Sequence, residues 1–76
     1  MMADQNVSMH MNILLNGEPK IVPVDSTAAH LIEILELSGK RLAVEINEEI
    51  VPRSQYATYR LQAGDRIEIV HAIGGG

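Results

Sequence analysis

The stretch that most limits the possible folds is Met11-Asn12-Ile13-Leu14-Leu15-Asn16-Gly17, together with the segment that follows it to residue 24. Met11, Ile13 and Leu15 alternate with Asn12 and Leu14, the period of a half-buried strand. Asn16-Gly17 is the strongest two-residue hairpin signal, because both residue types accept positive φ. Residues 18–24 therefore return as a second strand. Pro19 and Pro23 cannot donate to a ladder, so that strand is expected at a sheet edge. A lone hairpin is marginal in water and needs a cover for its apolar face.

The next segment supplies that cover. Asp25-Ser26-Thr27 is a run of helix N-cap residues. Ala28, Leu31, Ile32 and Leu35 then recur at i, i+3, i+4 and i+7, the spacing of one helical face. Ile34 and Leu37 widen the stripe, while His30, Glu33 and Glu36 take the wet side. Gly39 is placed to end the helix in the left-handed conformation, with Lys40 and Arg41 beside its negative end. The expected helix has about three turns.

Alternation resumes over residues 42–46, with Leu42, Val44 and Ile46 inward and Ala43 and Glu45 outward. Asn47-Glu48 reads as a second turn, residues 49–51 as a short strand stopped by Pro52, and residues 53–61 as a helical turn or irregular crossing. After a turn at Gly64-Asp65, residues 66–72 form the last strand. Ile67 and Ile69 lie on one of its faces, and Glu68, Val70 and Ala72 on the other. A helix with one apolar stripe must pack across one face of this sheet. The fold class is α+β, with a sheet of four to five strands on one main helix.

At 76 residues the chain makes one small domain, with no cysteine to staple it or to act as nucleophile or thiolate ligand. With no Trp and no Phe, the core must be aliphatic. Six Lys and Arg are scattered among ten acids, for a net charge of −4. That pattern argues against nucleic acid as a partner. No apolar run is long enough for a bilayer, and no basic-then-apolar secretion signal opens the chain. A soluble, cytoplasmic protein is expected. Residues 1–10 are polar and without period and read as a disordered leader. Residues 11–72 form the domain, and residues 73–76 a flexible tail.

That tail is Ile73-Gly74-Gly75-Gly76. Three glycines without Cβ atoms reach about 10 Å when extended and can thread a narrow channel.

These pieces in this order resemble the small ubiquitin-like β-grasp sulfur carriers, most closely the ThiS family of thiamine biosynthesis. The resemblance rests on Met11-Asn12-Ile13-Leu14-Leu15-Asn16-Gly17, Ala43-Val44-Glu45-Ile46-Asn47, Ile50-Val51-Pro52-Arg53, Gly64-Asp65-Arg66-Ile67-Glu68-Ile69-Val70 and the terminal glycines. It spans residues 11–76. Glu48 stands where relatives often have Gly, a departure that bears on how tight the second turn is. The resemblance implies a mixed sheet and a mechanism. The carboxylate of Gly76 is adenylated with ATP by an E1-like enzyme of the ThiF type. Sulfur from a persulfide donor replaces AMP to leave a thiocarboxylate, and that sulfur passes to a ThiG-type thiazole synthase. Ile73, Gly74 and Gly75 then carry the carboxylate into the partner's active site. The chain is a protein co-substrate and not an enzyme, with no cofactor of its own.

The residues themselves agree with that division of labour. No nucleophile, base and orienter come together in the pattern, and no histidine has a second ligand at metal spacing. Leu14, Ala43, Val70 and Ala72 share the outward sheet face and are expected to cluster as a docking patch beside the tail. His71 reads as a half-exposed histidine, Glu45, Glu48, Glu49 and Glu68 as solvated acids, and Tyr56 and Tyr59 as caps on the core edge. Two other functions share the acyl-adenylate step: a MoaD-type carrier for molybdopterin synthesis, and a ubiquitin-like modifier of protein lysines.

Overall fold

The computed structural model describes residues 9–71. The expectations for residues 1–8 and for Ala72, Ile73, Gly74, Gly75 and Gly76 fall outside them. The first hairpin forms as its turn chemistry dictates. Strand β1 (His10–Leu15) pairs antiparallel with β2 (Glu18–Pro23), and Leu15 lies directly opposite Glu18. Asn16 and Gly17 take φ of 51° and 85°, both positive as a type I′ turn requires. His10 pairs with Pro23, and the Val24 N–H donates to the Met9 carbonyl at 2.9 Å. Met9 and His10 thus belong to the hairpin and not to the leader. Both are exposed, so neither adds to the apolar alternation that marked the strand.

Helix α1 (Ala28–Ile34) is seven residues long, about two turns instead of three. Thr27 caps it. Its hydroxyl oxygen accepts the His30 N–H at 3.2 Å, and its own N–H donates to His30 Nδ1 at 3.1 Å. This is a reciprocal capping box with histidine in the usual Glu or Gln position. The N–H groups of Ala28 and Ala29 donate to the Tyr59 and Tyr56 carbonyls, both at 2.9 Å, so the crossing segment satisfies amides that a helix start leaves open.

The left-handed residue that closes the helix is Glu36, not Gly39. Glu36 has φ of 62°; its N–H reaches Glu33 O and the Leu37 N–H reaches Ile32 O, each at 2.9 Å. That pair of bonds is a Schellman cap. Left-handed backbone costs a non-glycine residue about 1 kcal/mol. Here it turns Leu37 back onto the core, and Gly39, with φ of 80°, serves the following turn. Ile34 is 46% exposed and does not widen the stripe, because it lies about 200° round the helix from Ile32.

Five strands form one mixed sheet in the order β2-β1-β5-β3-β4. β3 (Leu42–Ile46) and β4 (Glu49–Ile50) make the second hairpin. Its turn is as tight as the first, with Asn47 and Glu48 at φ of 52° and 72°, so Glu48 does not loosen it. A 3₁₀ turn at Arg53–Gln55 leads into the crossing that buries Leu61. β5 (Arg66–His71) then enters the middle of the sheet, parallel to β1 and antiparallel to β3. Ile13, Val22, Val44, Ile46, Ile67 and Ile69 from the sheet close on Leu31 and Ile32 of the helix, with Val51 and Leu61 at the margin. Tyr56 and Tyr59 pack half-buried against this core as expected.

Candidate functional site

β5 carries the chain toward the tail, and its neighbours hold it rigid. It pairs with β3 from Leu42 opposite His71 to Ile46 opposite Ile67. On the other side β1 pairs with it at Leu14 and Leu15. Alternation sends Ile67 and Ile69 into the core and Glu68 and Val70 out.

The open sheet face can be followed in rows along β5. Nearest the tail, Ala43 lies directly opposite Val70, which is 66% exposed. One step back, Glu45 faces Glu68, and Ile50, 75% exposed, lies opposite Glu45 on the other side. At the start of the strand, Arg66 lies beside Leu14 and makes a long, exposed ion pair of 3.9 Å with Glu48. Glu45, Glu48, Arg66 and Glu68 line one shallow depression.

The structure therefore brings together Ala43 and Val70 from the expected patch and separates Leu14 from them. β1 runs parallel to β5, so the outward residue near the end of β1 meets the beginning of β5. Arg66 and Val70 are four residues apart, about 13 Å along a strand. Leu14 is also 37% exposed, just over half the fraction for Val70. Ile50 joins the open face unforeseen; a two-residue strand is too short to show which way its residues alternate. Glu49 pairs with Ile46, not with the acids of the open face. His71 is exposed rather than half-buried.

No group of three or more metal-ligating side chains that could hold an ion occurs among the described residues, and none of their helices is long and apolar enough to cross a membrane. A concavity of about 380 Å³ between the end of β2 and α1 is lined by Pro23, Val24, Asp25, Ser26, His30, Glu33 and Ile34. It lies two strands away from β5, and its Ser26 hydroxyl and His30 Nδ1 are engaged with the Pro23 carbonyl and the Thr27 N–H. Among the described residues the arrangement is a central strand paired on both sides, with an open face of apolar and acidic residues.

Comparison with known proteins agrees. The model of the ThiS family matches residues 13–76. The sulfur carrier protein ThiS of Escherichia coli is 36% identical over 66 residues, which cover 87% of this chain and all of that protein. The ThiS of Bacillus subtilis is 40% identical over 63 residues, covering 82% and 96%. A thiazole synthase of Paramagnetospirillum magneticum is 41% identical over 66 residues, and the chain spans about a fifth of its length. The crystal structure of a thiamine biosynthesis protein ThiS from Geobacter metallireducens superposes with a TM-score of 0.74 at 28% identity, covering 87% of this chain and all of that one. The ubiquitin-like β-grasp fold and the family match point the same way: the chain belongs to the ThiS family, whose relatives include proteins named as sulfur carriers.

Proposed function

We propose that this protein is a cytoplasmic sulfur carrier of thiamine biosynthesis and that Gly76 is the residue that carries the sulfur. The observation that supports the reading most is the family match running through the glycine tail to residue 76, on a domain whose central strand leads into that tail. A free carboxylate is a poor acyl donor, since it is anionic and lacks a leaving group. A ThiF-type enzyme cures both faults by letting a Gly76 carboxylate oxygen attack the α-phosphorus of ATP, with pyrophosphate leaving. The terminal sulfur of a persulfide then attacks the acyl carbon and AMP departs. A thiol cleaves the resulting S–S bond, forming a disulfide and leaving the thiocarboxylate. The carrier supplies no acid or base to these steps; its partners do.

Ala43, Val70 and Ala72 are the docking patch in this reading, with Leu14 at its periphery, and Ile73 opens the tail. Gly74 and Gly75 give the carboxylate access to a channel too narrow for side chains. The thiazole synthase relatives, in which a segment like this chain sits in the same polypeptide as the rest of a synthase, support a ThiG-type acceptor. Membership of the ThiS family favours this pathway over molybdopterin synthesis.

Intact-mass measurement after incubation with ATP, a ThiF-type enzyme and a persulfide donor tests the proposal. Replacement of one oxygen by sulfur at the C-terminus is expected, together with its loss on deletion of Gly75 and Gly76. A stable lysine conjugate in its place would assign the protein as a modifier, and an unchanged mass with a competent enzyme would overturn the carrier reading.

A further inference from the structure

Two asparagines grip β5, one at its start and one at its middle, and they do so at nearly the same φ. Asn16 and Asn47 each open a two-residue hairpin turn at nearly equal positive φ. At the start of β5, the Asn47 N–H donates to Arg66 O at 2.8 Å, its Oδ1 accepts the Arg66 N–H at 3.0 Å, and its Nδ2 donates to Asp65 Oδ1 at 3.0 Å. Toward the tail, the Asn16 N–H donates to Ile67 O at 2.8 Å. Its Oδ1 accepts the Ile69 N–H at 3.0 Å, and its Nδ2 donates to Ile69 O at 3.4 Å.

The second set is unusual in what it replaces. β1 pairs with β5 only at Leu14 and Leu15 and then turns away into the hairpin. A carboxamide offers the same donor and acceptor as a peptide group. Asn16 thus stands in for the next residue of a strand that has already left. Ile69 is buried, so its backbone groups need partners. Beyond Ile69 lie His71 and then the tail.

We infer that Asn16 is a positioning residue for sulfur loading: by completing the ladder of β5 at Ile69, it fixes the strand up to its end at His71, the point from which the sequence continues to Gly76. The inference rests on the carrier reading above. An activating enzyme that grips the open face needs the carboxylate delivered along one line to the α-phosphorus. Loosening the strand at Ile69 leaves the gripped face intact and lowers the fraction of docked complexes in reactive geometry. The loss therefore falls on kcat and not on KM.

Asn16→Gly tests this, since glycine keeps the positive φ of the turn while removing the side chain that carries the carboxamide. Asn47→Gly is the matched control at the start of β5. ATP–pyrophosphate exchange by a ThiF-type enzyme and amide hydrogen exchange by NMR are measured on both full-length variants. For Asn16→Gly, kcat is expected to fall about five- to tenfold with KM nearly unchanged, and the Ile69 amide to exchange faster. Asn47→Gly should leave kcat as in the wild type. Asn16→Asp, which retains the acceptor and loses the donor, should fall between wild type and Asn16→Gly and serves if the glycine variant does not fold. Equal losses of kcat in Asn16→Gly and Asn47→Gly, a loss confined to KM, or unaltered exchange at Ile69 would overturn the inference alone. A wild-type protein that supports no pyrophosphate exchange would overturn the carrier reading and this inference with it.

Discussion

The two faces of β5 share one backbone and do opposite work. Ile67 and Ile69 point into the helix-covered core and are almost wholly shielded. Glu68 and Val70, their immediate neighbours in sequence, point to solvent; Glu68 directly faces another glutamate, and Val70 leaves two thirds of its surface exposed. The inward face looks like any aliphatic core. The outward face is worse than stability alone would choose, because like charges opposite one another on a sheet are destabilising and an exposed valine gains nothing from burial. Alternation along one strand thus separates the residues that hold the fold from those available to a partner.

Substitutions of adjacent residues should then fall into two classes. The largest effect is expected at Ile67→Ala, which removes a buried side chain from the centre of a small core and should cost about 2–5 kcal/mol. Urea unfolding measures it. A loss below about 1 kcal/mol would mean that the core side of β5 is less decisive than its burial implies. Next comes Val70→Glu, expected to leave urea stability within about 0.5 kcal/mol of wild type. Activation by a ThiF-type enzyme should still weaken about tenfold, or about 1.4 kcal/mol. Unchanged activation kinetics would remove Val70 from the docking surface and blur the contrast between the faces. The smallest effect is expected at Glu68→Gln. Relieving the opposition to Glu45 should raise stability by about 0.3 kcal/mol, seen as a small upward shift in the urea midpoint with an unchanged slope. A fall would show that Arg66 already balances the acids around it.

Much of this was legible beforehand, for identifiable reasons. Asn16-Gly17 predicts its turn because few residue pairs tolerate two positive φ values, and Pro19 and Pro23 predict an edge because they lack N–H groups. The inward positions of β1, β3 and β5 follow from a period of two. The helix end was not legible. Gly39 is the better left-handed residue, but Glu36 takes that conformation because ending there lets Leu37 reach the core. His30 as a capping partner was hidden as well, since the familiar signature calls for Glu or Gln. The open sheet face was half legible: outward direction could be read for Leu14, Ala43 and Val70, but their distance from one another could not.

That last difference marks the boundary. Local chemistry within the sequence sets each turn, each strand's two faces and the helical stripe, because these depend on φ preferences and on side-chain period over a few residues. It also carries the family pattern through to the glycine tail. Which outward residues meet depends on strand order and direction. Those emerge only when β5 enters between β1 and β3, parallel to one and antiparallel to the other. That insertion places Ala43 beside Val70, carries Leu14 to the opposite end of β5, and brings Asn16 to the backbone of Ile69 across 53 positions of chain. No local preference records such a meeting, because the free energy that decides it comes from burying the helix and five strands around one core.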